Sequence, residues 1–181
     1  MSLPIPDYLD HWLLPDCSDH NEFKVKGHIQ CACGNPVFTI RFIGEVCQNG
    51  AFICALDLEN DTIEERREYF PLRVQATCTV CAKSTAVYDR HKHGWNGFYA
   101  GRDAVIPEMD DLLQAKTCIK CQHDRFKIHT DIFSLGRADF KENAPEAPEG
   151  DWVNAFERIK IDLTCYDCHH TQKEWLDDEC M

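Results

Sequence analysis

Eight of the twelve cysteines in this chain of 181 residues fall into four close pairs: Cys31-Ala-Cys33, Cys78-Thr-Val-Cys81, Cys118-Ile-Lys-Cys121 and Cys165-Tyr-Asp-Cys168. A CxxC pair sets two sulfurs on one tight turn, and two such turns brought together offer four thiolates to a tetrahedral metal ion. Between Cys121 and Cys165 lie 43 residues, and between Cys33 and Cys78 lie 44. Cys118, Cys165 and Cys168 stand 87 residues after Cys31, Cys78 and Cys81, while Cys121 stands 88 after Cys33. The pattern predicts two metal sites, one from Cys31, Cys33, Cys78 and Cys81 and one from Cys118, Cys121, Cys165 and Cys168. It also reads as a tandem duplication whose first knuckle has lost a residue. Two zinc ions per chain are expected. Four thiolates by themselves do not separate zinc from iron, but nothing else in the sequence points to electron transfer.

The elements that must position these sulfurs share the repeat. Phe38 and Ile40 follow the first knuckle as Phe126 and Ile128 follow the third, at an offset of 88, and Leu72, Val74 and Ala76 match Ile159, Ile161 and Leu163 at an offset of 87. Tyr88 corresponds in the same way to Trp175. Alternating apolar positions are the period of a half-buried strand. The predicted fold class is therefore mostly β: two tandem zinc-stapled antiparallel β modules, with short helices at the N-terminus and in the linker. The chain divides into a helical anchor over 1–22, module one over 23–103, a linker over 104–116 and module two over 117–181. Units of this size bury a modest core, which a structural metal would staple.

Composition narrows the function. The formal charge is −12; eight thiolates add −8 and two dications +4, giving −16 in the loaded state. Such a field repels a phosphate backbone, so nucleic-acid binding is disfavoured. No apolar run reaches the roughly 20 residues that span a bilayer, and no basic-then-apolar leader opens the chain. A cytoplasmic protein is expected, where reducing conditions favour metal ligation over disulfides.

In chain order, Asp7 to Leu14 reads as a short helix stopped by Pro15. Cys17 and His20 form a CxxH spacing without a second pair. Phe23 to Lys26 leads into the first knuckle, where His28, three residues before Cys31, is a further possible ligand of site one. Val37 to Ile43 reads as a strand heading for an Asn49-Gly50 turn, with Phe52 to Leu56 returning and Cys47 and Cys54 on one face as core thiols. A charged connector over 59–68 precedes a strand from Tyr69 to Thr77. In module two, Phe126 to Leu135 and Phe156 to Thr164 read as strands, with a turn at Gly136-Arg137 and an exposed loop over 141–151. Residues 107–116 read as a helix-like linker. Residues 90–103 concentrate histidines, aromatics and glycines; they are expected to pack irregularly between the modules. Their functional reading is a surface where His91, His93, Trp95 and Arg102 meet a protein or small-molecule partner.

Catalytic signals are sparse. Four thiolates close a zinc shell, and HExxH, GxSxG, a deaminase signature and a phosphate-cradling glycine loop are all absent. His123, His169 and His170 flank the knuckles of site two, where they read as neighbours of the metal shell. The leading expectation is a structural zinc-binding protein that serves as an interaction module. The alternative is a thiol- or zinc-dependent enzyme with an open metal position in module one, motivated by the short knuckle and His28. A nucleic-acid-binding zinc ribbon comes third.

Paired CxxC knuckles separated by strands resemble the zinc-ribbon class. Their long separation is more similar to the zinc-pinned β-tent domains, such as Yippee-type and Mss4-like proteins. Cys31-Ala-Cys33-Gly34 followed by Phe38 also resembles the glutathione-dependent formaldehyde-activating family over about eight residues. That family's additional central cysteine-rich cluster is missing, so the resemblance implies a zinc-bound β fold and not the family's activity.

Overall fold

Alternation decides which segments become strands. Phe38, Ile40 and Phe42 are buried with their neighbours Thr39 and Arg41 turned outward, and Phe126, Ile128 and Ile132 alternate in the same way. The computed structural model describes residues 3–16, 20–43, 73–100 and 113–180. Within them run the strands β1 (Leu13–Pro15), β2 (Lys24–Ile29), β3 (Phe38–Ile43), β4 (Arg73–Cys78), β5 (Ser84–Asp89), β6 (Gln114–Ala115), β7 (Arg125–Ser134), β8 (Phe156–Cys165) and β9 (Thr171–Glu179), with the helices α1 (Gly94–Ala100) and α2 (Gly136–Asn143). The strands form one curled sheet, antiparallel throughout.

The duplication is visible in the pairing. β3-β4-β5 and β7-β8-β9 are equivalent meanders: Phe38 faces Cys78 as Phe126 faces Cys165, and Thr77 faces Ser84 as Thr164 faces Thr171. Both outer pairs shift register at the same place in the repeat, between Val74 and Gln75 and between Ile161 and Leu163. A bulge changes which side of the strand faces inward, and here it leaves consecutive residues buried, Val87 with Tyr88 and Trp175 with Leu176.

The two halves meet where β3 and β7 pair, and Phe38 lies directly opposite its own repeat counterpart Phe126. An antiparallel pair that matches a residue with its equivalent marks a local twofold axis. The axis carries the flanking strands with it. β2 pairs with β7 of the other half, Gly27 opposite Thr130, and the short β6 pairs with β3, Gln114 opposite Phe42. Gln114 stands 87 residues after Gly27 and Thr130 stands 88 after Phe42, so β6 is the shortened counterpart of β2. Each half therefore lends the strand before its first knuckle to the other half, and the hydrogen-bond ladder crosses from residues 23–103 to residues 117–181.

One large apolar core lies against this sheet, with Trp175, Tyr88, Phe38 and Phe156 its largest fully enclosed side chains. A smaller cluster joins Trp95 to Phe140, Trp152 and Ala155.

Several local expectations need correction. The predicted helix from Asp7 to Leu14 is a single 3-10 turn, Asp7–Leu9, followed by β1. Leu13 and Leu14 pair with Ile29 and His28, and Pro15 is tolerated because this is an edge strand. Gly136-Arg137 begins a helix and is not a turn between strands. Gly136 takes φ +84 against the Phe23 ring and opens α2, which places Phe140 in the smaller cluster. The predicted loop over 141–151 accordingly contains the end of that helix and the start of a 3-10 turn, Glu149–Val153, which buries Trp152. Residues 94–100 are helical, not irregular, and Gln114 and Ala115 are strand, not linker helix. Cys17, the Asn49-Gly50 turn, Cys47, Cys54, the 59–68 connector and Arg102 lie outside the described residues.

Candidate metal centres

Each knuckle is built on one backbone plan. The residue after the second cysteine sits in the left-handed region: Gly34 at φ 84, Ala82 at 58, Gln122 at 63 and His169 at 58. Its N–H donates back to the carbonyl of the first cysteine, at 2.7 Å for Gly34 to Cys31, 3.0 Å for Ala82 to Cys78, 2.9 Å for Gln122 to Cys118 and 3.0 Å for His169 to Cys165. The first cysteine's own N–H is taken by a carbonyl one residue further on, from Asn35, Lys83, His123 and His170 in turn. The residue missing from Cys31-Ala-Cys33 tightens that turn without changing its plan. Only there is the left-handed position a glycine, the residue that accepts it without a Cβ penalty.

These turns bring the eight predicted cysteines together in two groups of four sulfurs, all within 4.8 Å of one another in each. Cys31 Sγ lies 3.4 Å from Cys81 Sγ and Cys33 Sγ lies 3.6 Å from Cys78 Sγ. The equivalent pairs in the second group, Cys118 with Cys168 and Cys121 with Cys165, stand at 3.6 and 3.5 Å. A tetrahedron with metal–sulfur bonds of about 2.3 Å has edges of about 3.8 Å, and a disulfide would hold its sulfurs at about 2.0 Å. The spacing fits four ligands around one ion and excludes disulfides; all eight thiols are free.

The surroundings split the thiols: against the Cys33 N–H, burial and the neighbouring thiols push Cys31 up to about 12, and Cys121 rises to about 12 in the same way against the His123 N–H. Burial opposes charge on Cys78, but the Cys81 N–H, the Asn35 side-chain amide (3.3 Å), the Val80 N–H and the Cys33 thiol outweigh it and bring that thiol down to about 6. Cys118 is likewise opposed by burial and lowered to about 7 by the N–H groups of Cys121 and Lys120 and the neighbouring thiols. In each group, then, one inner cysteine is prepared to ionise first, as metal ligation requires. Asp167, beside site two, is ion-paired to Arg125 and lies 3.5 Å from His123.

The flanking histidines do not enter these groups. His123 faces Asp167, and His169 and His170 supply backbone to the fourth knuckle. His28 points elsewhere: it lies on β2 beside His129 and Asp16, the third cluster able to hold a metal ion. Sequence reasoning missed that cluster because His129 lies 101 residues after His28 and only the strand exchange makes them neighbours.

Of the residues expected at a partner surface, His93 and Trp95 are packed against their neighbours. His93 stacks on Tyr8 at 3.6 Å and accepts the Asp89 N–H at Nδ1 (3.0 Å), so its proton sits on Nε2. Burial holds its pKa down to about 4. Trp95 is 4% exposed in the smaller cluster, and the His91 N–H donates to Asp89 Oδ1 at 3.1 Å. A buried polar network was also unforeseen: Tyr88 Oη donates to Asp178 Oδ2 at 2.8 Å, Arg90 pairs with Asp178 at 3.2 Å, and Cys180 Sγ lies 3.1 Å from Tyr88 Oη. Burial pushes the pKa of both Tyr88 and Cys180 upward, with Cys180 and Asp178 adding to it for Tyr88 and Asp178 for Cys180, so both groups stay protonated. Among the described residues no helix is long and apolar enough to cross a membrane. No family model, curated protein or solved structure matches the chain.

Proposed function

We propose that this is a structural zinc protein: two closed four-thiolate zinc sites pin the knuckle ends of a duplicated sheet and hold ready a surface for a protein or small-molecule partner. The observation that carries the reading is the pair of four-sulfur groups with the same internal spacing, each built from two knuckles. Four thiolates leave no coordination position for substrate and disperse the charge that would make zinc a strong Lewis acid. His28, which motivated an open position in module one, is occupied with Asp16 and His129. The knuckle tips carry exposed apolar side chains, Val80 at 74%, Ile119 at 54% and Tyr166 at 44%, which suits contact with a partner.

Structural zinc contributes about 10–16 kcal/mol of apparent binding energy, as much as the whole stability of a typical domain. Cys165 is fully buried at the end of β8, opposite Phe126. Cys165→Ser is expected to lose one zinc equivalent and the cooperative unfolding transition of the zinc-loaded protein. An unchanged zinc count and melting curve would refute the structural role.

A further inference from the structure

We infer that Asp16, His28 and His129 form a third metal site, chemically distinct from the two sulfur sites and open to solvent, that takes a divalent transition metal of zinc-like character. The three residues come from three places: Asp16 follows β1, His28 lies on β2 and His129 on β7. Leu14 pairs with His28, and His28 pairs with His129, so these side chains share one face of the sheet. The Asp16 N–H continues the ladder by donating to the Lys26 carbonyl at 3.0 Å. Asp16, two residues beyond Leu14, therefore projects to that same face.

The donor atoms converge. Asp16 Oδ2 lies 3.0 Å from His129 Nε2 and Asp16 Oδ1 lies 3.5 Å from His28 Nε2, with all three donors within 4.8 Å of one another. Metal–nitrogen and metal–oxygen bonds of about 2.0–2.1 Å place tetrahedral ligands about 3.3 Å apart. The far side of His129 is also furnished: Nδ1 faces Asp131 Oδ1 at 3.5 Å, and Asp131 is held by Lys24 and Lys26, both at 3.3 Å. A carboxylate behind a histidine fixes the tautomer that leaves the other nitrogen free to ligate. The Asp16 carboxylate, by contrast, meets only imidazoles among the described residues.

The duplication supplies a control inside the molecule. Across the local axis, the pair equivalent to His28 and His129 is Ala115 and Arg41, opposite each other in the β6–β3 ladder. The fold is thus built at that position without histidine, and the cluster exists on one side only. Two imidazoles and one carboxylate select a borderline transition ion over magnesium or calcium. Three protein ligands leave coordination positions for water or an exogenous ligand. The His28 side chain is 59% exposed, so such a ligand has access.

The test is equilibrium dialysis of the full chain against micromolar free zinc, with elemental counting, comparing the natural protein with H28Q/H129Q. The natural protein is expected to hold one zinc more than the double variant, and a brief chelator wash is expected to remove that difference. Cobalt in place of zinc adds a second readout: the extra equivalent brings visible d–d bands without the intense sulfur-to-metal charge transfer of the thiolate sites. Asp131→Asn is expected to weaken the extra equivalent by about 10–100-fold without changing the sulfur sites. Equal zinc counts in the natural protein and H28Q/H129Q would overturn the proposal, whether both lacked the extra ion or both kept it. Because the readout is a difference, it stands apart from whether the sulfur groups take zinc. Far-UV circular dichroism confirms that the double variant is folded; should it not be, an undiminished extra equivalent in Asp131→Asn would overturn the proposal by itself.

Discussion

Replacing Tyr88 by phenylalanine removes one hydroxyl that bridges the two halves of the sheet. The Tyr88 ring is fully buried on β5, and its hydroxyl donates to Asp178 on β9 at 2.8 Å. Phenylalanine keeps the ring, so the cavity cost of a truncation is avoided. What is lost is a hydrogen bond to a buried carboxylate that retains Arg90 at 3.2 Å, together with the weaker contact of the hydroxyl with Cys180 Sγ at 3.1 Å. A hydrogen bond to a charged group contributes about 1.5–3 kcal/mol. With a urea dependence of about 2 kcal/mol per molar, the unfolding midpoint should fall by on the order of 1 M. The assay is urea unfolding of both proteins at the same buffered free zinc, since bound metal shifts apparent stability. Combining Y88F with Asp178→Asn should cost less than the sum of the single changes, by about 0.5–3 kcal/mol, as expected for partners in contact. A loss under about 0.5 kcal/mol for Y88F, or strict additivity, would refute the claim that this bond ties the halves together.

Further outcomes follow from the knuckles and from His93. Ala82 holds a left-handed conformation that costs a non-glycine residue about 1–2 kcal/mol, so Ala82→Gly should raise zinc-loaded stability by about 0.5–1 kcal/mol after the entropy of the added glycine is counted. Gly34→Ala should lower it by about 1 kcal/mol through backbone conformation alone, because a Cβ at Gly34 meets nothing within 4 Å; a loss for Ala82→Gly or a gain for Gly34→Ala in thermal unfolding would contradict the shared turn plan. Burial lowers the His93 pKa to about 4 from 6.5. Between those values the unfolded chain binds more protons, so this histidine's contribution is complete above about pH 6.5 and is lost as acid approaches pH 4, up to about 3 kcal/mol. Nitrogen-detected NMR should find His93 neutral with its proton on Nε2 at pH 5.5, and titration near pH 6.5 would contradict its burial.

The parts of this molecule that sequence makes legible are those whose information is local. A CxxC turn carries its own geometry, and three of them with one shortened CxC turn at a repeated spacing point to two sulfur groups before any fold is known. The cores of β3, β7 and β8 follow from period-2 alternation in Phe38-Thr-Ile40-Arg-Phe42, Phe126-Lys-Ile128 and Ile159-Lys-Ile161-Asp-Leu163. Partner choice is different. Nothing in the alternation of Lys24 to Ile29 says that this strand pairs with β7 across the duplication, and without that pairing His28 looks like a spare ligand for its neighbour Cys31. Short elements fail for a related reason. Leu9, Trp12 and Leu13 have helical spacing, but a few residues cannot sustain a helix alone, and the free edge of β2 takes Leu13 and Leu14 into the sheet. The acidic, proline-bearing stretch after Gly136 is ordered by long-range contacts of Phe140 and Trp152 with Trp95, which composition does not report.

Each half of the duplicated sheet is proposed to be closed by one ion bound to four sulfurs. Elemental analysis with X-ray absorption at the zinc edge tests it most directly, on protein purified without added metal and washed with chelator to remove loosely held ions. Two zinc ions per chain are expected, each with four sulfurs at about 2.3 Å. Fewer than two ions, or nitrogen and oxygen persisting in the shell after the wash, would contradict it.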